Sequence, residues 1–116
     1  MNNYKELKVW KRSIFLAKDI YVLTATFPHV EKYGLVSQMR RSAVSVASNI
    51  AEGAGRGSDR EFRRFMDTAY GSLCELDTQL CIAKLLDLVN DSVFKSLEKE
   101  INEMQKMSYS LIKSLK

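Results

Sequence analysis

Six arginines and no lysine lie between positions 40 and 64 of this 116-residue chain. They are Arg40, Arg41, Arg56, Arg60, Arg63 and Arg64. Three acidic residues of the same stretch, Glu52, Asp59 and Glu61, oppose these six, so three of the chain's net four positive charges fall here. A guanidinium group makes paired hydrogen bonds to a phosphate or a carboxylate. The stretch therefore predicts either a nucleic-acid surface or a set of ion pairs within the protein.

The two interpretations assign different partners to the arginines. In the first, the guanidinium groups contact the phosphates of RNA or DNA. In the second, Arg40 and Arg41 pair with acids of neighbouring helices, while the later arginines are solvated at the start of a helix. The acids available for such pairs include Glu52, Glu75 and Asp77. The overall charge is only mildly basic, with a pI near 9.1, and does not decide between the two.

Other reactive residues do not form a recognisable catalytic or metal-binding pattern. A di-metal bundle needs Glu-x-x-His on two helices, and this chain has a single histidine, His29. Ser42, Ser45 and Ser48 have no base near them in sequence. Two cysteines, seven positions apart, would be separated by roughly 10 Å on one helix, which indicates free thiols. These are Cys74 and Cys81. We expect no enzyme activity, no metal and no cofactor.

Four segments carry apolar residues at alternating steps of three and four, the spacing of a helix face. The first runs from about Tyr4 to Thr26 and ends before Pro28, the only proline. The second follows Gly34, the third follows Ser58, and the fourth runs from about position 92 to the end. In the third, the seam consists of Phe62, Met66, Ala69, Leu73, Leu76, Leu80 and Ala83. The short connections predict an all-α, antiparallel up-down-up-down four-helix bundle.

Glycines and a serine mark the ends of these helices. Gly53 suits the left-handed residue that follows a helix. Ser58 and Glu61 have the spacing of a capping box, in which each side chain bonds to the other's backbone amide. Gly71, inside the third helix, costs about 1 kcal/mol relative to alanine. A close helix crossing at Gly71 would offset that cost.

The second helix carries small, mostly uncharged residues opposite its apolar face. An ordinary solvated face would be rich in Lys and Glu, whereas small side chains let another backbone approach. We therefore predict that this helix contacts a second copy of the chain. The predicted interface residues are Ser42, Ser45, Ser48, Asn49 and Glu52.

Length and hydropathy bound the remaining possibilities. With 46% hydrophobic residues, positions 1–116 are enough for a single domain with one core. The start has no uninterrupted apolar run typical of a signal peptide, and no segment approaches the ~20 apolar residues of a membrane span. We expect a cytoplasmic protein that does not bind membranes.

Several motifs also resemble a known family. They are LKVW at 7–10, YGL at 33–35, QMRRSAVSV at 38–46, SNIAEG at 48–53, GRGS at 55–58 and GSLCEL at 71–76. Together they resemble the four-helix-bundle proteins encoded within intervening sequences of bacterial 23S ribosomal RNA genes. The match covers nearly the whole chain except the last helix. Its motif residues are Arg40, Arg41, Asn49, Glu52, Gly53, Arg56, Phe62, Phe65, Gly71, Ser72, Glu75 and Leu76.

The resemblance implies a bundle that assembles as a ring, a homopentamer in known members, without demonstrated enzymatic activity. Similar proteins include the accessory variability proteins of diversity-generating retroelements, which bind nucleic acid and a reverse transcriptase. The sequence thus favours a non-enzymatic oligomer that binds RNA through an arginine-rich rim. The alternative is a structural or protein-interaction ring with no nucleic-acid ligand. Because Phe62 and Phe65 fall on an apolar face, we expect phosphate contacts and little reading of base sequence.

Overall fold

A computed structural model of the protein describes residues 3–115, and four α-helices make up most of it. These are α1 (Lys8–Thr24), α2 (Leu35–Ala54), α3 (Asp59–Leu85) and α4 (Asp91–Ser114). Two short 3₁₀ turns, Tyr4–Glu6 and His29–Glu31, precede α1 and α2. Each helix packs against the next, and α1 returns to contact α4. The predicted all-α up-down-up-down bundle is confirmed.

The first helix is shorter than the sequence pattern indicates. Its predicted opening residues form the 3₁₀ turn instead, where the Asn3 side chain accepts a hydrogen bond from the Lys5 amide. Leu7 is then extended, and α1 begins at Lys8. The Tyr4 ring packs edge-on against Trp10, with 5.4 Å between the ring centroids. This aromatic contact holds the turn against the helix that follows it.

Two helix starts carry side-chain caps. Ser58 Oγ accepts from the Glu61 amide at 3.2 Å, and Asn90 Oδ1 accepts from the Val93 amide at 2.8 Å. The predicted Ser58 cap is therefore present. The second half of the capping box is not, because the Glu61 carboxylate accepts two hydrogen bonds from Arg64 instead. A charge-assisted pair with arginine has replaced a neutral amide partner.

The core lies between all four helices, and the contact between α2 and α3 is the most extensive in the bundle. All seven residues of the predicted α3 seam are buried, and the two leucines at its centre, Leu73 and Leu76, expose no surface. From α2, the residues Met39, Ala43, Val46 and Ile50 are equally inaccessible. The helical spacing read from the sequence thus corresponds to the face that excludes water.

Gly53 does not occupy the left-handed position predicted for it. Helix α2 continues to Ala54, and the glycine with a left-handed φ, 82°, is Gly57. A Cβ atom at Gly53 would lie only 2.6 Å from Phe65 Cβ. Gly53 is therefore required for the close approach of α2 and α3, which a pattern of helix ends does not reveal.

Gly71 also differs from its prediction. Apart from its chain neighbours and the adjacent backbone of α3, no atom of residues 3–115 lies within 4 Å of the position that a Cβ at Gly71 would take. Gly71 is exposed on α3, so no close helix crossing inside the described chain offsets its cost.

Ion pairs of a single arginine, Arg12, join helices α1 and α4. Arg12 on α1 donates through Nε and Nη2 to Glu100, and through Nη2 to Glu103 at 2.8 Å. These hydrogen bonds raise the pKa of Arg12 and lower the pKa of Glu103. Elsewhere the α1–α4 contact is sparse and leaves Phe15 and Val22 more than half exposed.

No helix of the described residues is both long and apolar enough to span a bilayer.

Candidate nucleic-acid interface

The bundle separates charge along its long axis of 43 Å. One end holds the start of α1, the α2–α3 junction and the last turns of α4. We call it the basic end and define it as residues 3–12, 52–67 and 103–115. It contains ten basic and six acidic residues, a net charge of +4, whereas residues 18–45 and 75–100 contain seven basic and eight acidic residues, a net charge of −1. Lysines distant in sequence join the arginines at this end, and a window along the sequence misses them.

Two arginines of the basic end lie against one aromatic ring. The Arg56 and Arg64 guanidinium carbons lie 4.8 and 4.6 Å from the centroid of the Phe65 ring. Arg56 also pairs with Glu52 at 2.7 Å, and Arg64 pairs with Glu61 at 3.0 Å. Cation–π contacts and exposed ion pairs of this kind fix an orientation more than they add stability. Both side chains remain exposed, so their outer N–H groups stay accessible to an anion.

The electrostatic effect of these pairs is visible in the Glu61 carboxyl group. Its pKa is lowered mainly by the Arg64 hydrogen bond, and Arg56 and Arg60 add smaller coulombic contributions. The same pair raises the pKa of Arg64. The Glu61–Arg64 pair therefore favours the charged form of both side chains.

Arg60 and Arg63 have different surroundings. Arg63 is half-buried and donates to the Leu115 carbonyl at 3.2 Å, which ties the start of α3 to the end of α4. Arg60 is exposed and makes no ion pair or side-chain hydrogen bond with any described residue. Arg60 is thus the most available cation of the cluster, whereas Arg63 is partly structural.

Arg40 and Arg41 lie apart from the other four arginines. Arg56 follows the end of α2 at Ala54, and the fourteen steps of α2 from Arg40 to Ala54 correspond to about 21 Å of helix rise. Arg40 donates to Thr24 Oγ1 at 2.8 Å and to the Tyr21 carbonyl at 3.3 Å, rather than to an acid. Arg41 is exposed on the same helix. The six arginines therefore form two groups in one subunit, not one continuous rim.

The predicted interface residues of α2 divide between interior and surface. Ser42 is buried within the subunit. Ser45 Oγ lies 2.9 Å from Ser72 Oγ on α3 and accepts from Asn49 Nδ2 at 3.0 Å. Ser48 and Glu52 are exposed. Part of the small-residue face thus packs against α3 of the same chain, and the rest faces outward.

One group of potential metal ligands was not visible in the sequence. The ligand atoms of Asp77, Cys81 and Glu98 lie within 4.8 Å of one another across α3 and α4. Burial, followed by the charges of Asp77 and Glu98, raises the pKa of the Cys81 thiol. A raised pKa favours the protonated thiol, which is the poorer nucleophile and metal ligand. His29, in the turn before α2, is not a member of this group.

The fold and this site describe a small helical-bundle protein with a charged end and no assembled catalytic constellation among the described residues. The model of the 23S rRNA-intervening sequence protein family matches residues 5–110, and the chain belongs to this family. It is also similar to a crystal structure of a protein of unknown function from the S23 ribosomal protein family of Bacteroides thetaiotaomicron. The two chains are 21% identical, with a TM-score of 0.82 over 91% of this chain and 99% of that one. No curated protein matches the chain.

Proposed function

We propose that this protein is a non-enzymatic, oligomeric RNA-binding protein whose basic end contacts the phosphate backbone. The observation that carries the proposal is the concentration of net charge, +4, at one end of the bundle, where Arg60 is exposed and free. A polyanion is attracted to such a surface because it releases counterions when its phosphates are neutralised. Arg40 and Arg41, on the other part of α2, offer a second and separate contact.

The geometry of the aromatic residues favours backbone contacts over base reading. Single-stranded nucleic acid usually stacks its bases on exposed aromatic rings. At the basic end, Phe62 is buried, and Phe65 is only partly exposed and is contacted by Arg56 and Arg64. We therefore expect binding with little sequence preference.

Assembly would strengthen this binding. The family resemblance suggests a ring, and a homopentamer would carry a formal charge of about +20, five times the net +4 of one chain. Repeated basic ends convert weak phosphate contacts into avidity. Surface features on α1 and α2 are available for subunit contacts: Ile14, Tyr21 and Val44 are each more than 40% exposed. Ser48 and Glu52 lie outward on α2, as the predicted interface requires.

The test compares two triple variants that remove the same charge. Arg56→Gln/Arg60→Gln/Arg64→Gln lowers the net charge of the basic end from +4 to +1 and spares Arg63, which holds the end of α4. Its control neutralises Lys18, Lys95 and Lys99, which are exposed elsewhere on the bundle. Electrophoretic shifts against structured RNA, single strands and duplex DNA are measured over a salt series, with light scattering for the assembly mass.

The basic-end variant should bind more weakly and flatten the slope of log affinity against log salt by about 2 to 3, whereas the control should change it less. Equal effects of the two variants would show that net charge alone matters and would remove the basic end as the interface.

The alternative function is a ring that binds other proteins. The family resemblance suggests a reverse transcriptase as one such partner. The observation that favours it is that Arg40, Arg56, Arg63 and Arg64 already have partners within the subunit. If the basic-end variant breaks the assembly but leaves the affinity and salt dependence of binding unchanged, this alternative takes precedence. The cytoplasmic location stays a prediction.

A further inference from the structure

A second basic feature lies at the α1–α2 connection, at the other end of the bundle from the basic end. It is a small pocket of about 180 Å³. We call it the α1–α2 pocket and define it by Thr24, Phe27, His29, Lys32, Val36 and Arg40. Thr24, Phe27 and Val36 are buried, whereas the three basic residues are half-buried or exposed. The pocket thus has a closed inner wall and a positively charged mouth.

Arg40 is held in place without a counter-ion. Its Nε donates to Thr24 Oγ1 at 2.8 Å, its Nη2 donates to the Tyr21 carbonyl at 3.3 Å, and its guanidinium carbon lies 4.4 Å from the centroid of the Tyr21 ring. Thr24 is itself oriented by a 2.7 Å hydrogen bond to the Ile20 carbonyl. No carboxylate within residues 3–115 comes within ion-pair distance of Arg40. A half-buried cation that is oriented but unpaired favours the entry of an anion.

Two further basic side chains face the same space from the short turn before α2. His29 begins that turn directly after Pro28, and Lys32 follows its end. Lys32 Nζ lies 5.4 Å from the Tyr33 ring, and neither side chain forms an ion pair with a described residue. The nearby acid, Glu31, is engaged elsewhere, since its Oε1 accepts from the Leu35 amide at 3.4 Å. The pocket lining therefore contains three basic residues and no acid.

We propose that the α1–α2 pocket binds the phosphoryl group of a phosphate monoester. The Nη1 group and the second Nη2 proton of Arg40, which have no described acceptor, can donate to two phosphate oxygens, and Lys32 supplies a mobile point charge for a third. Pockets for whole organic ligands usually occupy about 300–1,000 Å³, so this one suits a phosphoryl group better than an enclosed nucleoside. The proposal goes beyond the RNA-binding function, because it concerns a single anion in a pocket away from the basic end and can be tested without nucleic acid.

His29 is the single histidine of the chain, so its NMR signal reports directly on anion binding in the pocket. Its imidazole proton resonance is followed by NMR while inorganic phosphate is added at constant pH and ionic strength. We expect a saturable shift in the unmodified protein. Lys32→Gln and Arg40→Gln should each weaken the apparent affinity by about tenfold or more, the loss expected for one charge-assisted hydrogen bond. Lys95→Gln, an equal charge change on an exposed part of α4, should leave the affinity unchanged.

Lys32→Gln decides the matter if Arg40→Gln unfolds, because Lys32 is exposed and its described contacts do not hold helices together. A shift that never saturates, or an equal loss of affinity in Lys95→Gln and Lys32→Gln, would overturn the proposal.

A final comparison identifies the source of the phosphoryl group. If a 5′-phosphorylated oligonucleotide shifts His29 at lower concentration than its 5′-hydroxyl counterpart, and Lys32→Gln removes the difference, the site takes a nucleic-acid terminus. If the two oligonucleotides behave alike while phosphate still saturates, the site takes a small phosphate monoester.

Discussion

The substitution Gly53→Ala tests the close packing that joins α2 to α3. The added Cβ would lie 2.6 Å from Phe65 Cβ, 3.2 Å from Phe62 Cδ1 and 3.3 Å from the Phe62 carbonyl oxygen. Two of these three neighbours are a backbone atom and an atom bonded directly to the backbone, so no change of rotamer relieves the contact. The helices themselves must separate.

Two opposing effects determine the expected change in stability. Alanine is favoured over glycine in a helix interior by about 0.5–1 kcal/mol. Overpacking of a filled core costs about 1–3 kcal/mol and can cost more when the backbone has to move. Because the closest contact is far inside van der Waals distance, overpacking should dominate, and we expect a net loss of about 1–2 kcal/mol. This corresponds to a fall in Tm of roughly 3–10 °C for a domain of this size.

The assay is urea unfolding followed by circular dichroism, at one protein concentration for every variant because assembly would shift the midpoint. Gly71→Ala is the matched control, since its Cβ meets no atom of residues 3–115 within 4 Å apart from its chain neighbours and the adjacent backbone of α3. It should raise the unfolding free energy by up to about 1 kcal/mol. If Gly53→Ala were as stable as the unmodified protein, the steric argument at the α2–α3 contact would be wrong.

Three further predictions concern a cap, an ion pair and a thiol. Ser58→Ala should lower the free energy of unfolding by about 1 kcal/mol in the same assay, since the start of α3 loses its cap. The folded-state pKa of Glu103 lies below its ordinary value, so its pairing with Arg12 contributes stability above that value and loses it as the pH falls through the folded-state pKa. Glu103→Gln should therefore flatten the acid side of the stability profile, and an unchanged profile would contradict this. Iodoacetamide at neutral pH, followed by mass spectrometry, should label the exposed Cys74 before Cys81, whose raised pKa disfavours the thiolate; the reverse order would refute the assignment.

Helical spacing was sufficient to predict the four helices and most of their buried faces. A face that must leave water repeats every three to four residues, and this repeat is written in the order of the side chains. The buried seam from Phe62 to Ala83 and the cap at Ser58 follow from such local rules. Arg56, Arg60 and Arg64 also lie close together in the structure, because the start of α3 keeps sequence neighbours close in space. Their contact with nucleic acid stays a prediction.

Features that depend on two distant segments required the tertiary structure. Gly53 was misassigned because a glycine at a helix end and a glycine at a helix crossing look alike until Phe65 is placed against it. The sequence groups Arg40 with Arg56, although about 21 Å of helix α2 lies between Arg40 and the end of that helix, because a sequence window does not measure distance along a helix axis.

By itself, the sequence determined that this chain forms four amphipathic helices, with an excess of arginine in the second helix and at the start of the third. Only the packing of the helices determined which other charged residues lie beside these arginines. Antiparallel packing brings the ends of α2 and α4 to the starts of α1 and α3. The net charge of +4 at this end comes from residues 3–12 and 103–115, because the four basic and four acidic residues of 52–67 cancel. The same packing places His29, Lys32 and Arg40 around one pocket, because the short α1–α2 connection folds back against the first turns of α2. Coulomb interactions depend on distance in space, and distance in space is set by helix packing rather than by order along the chain.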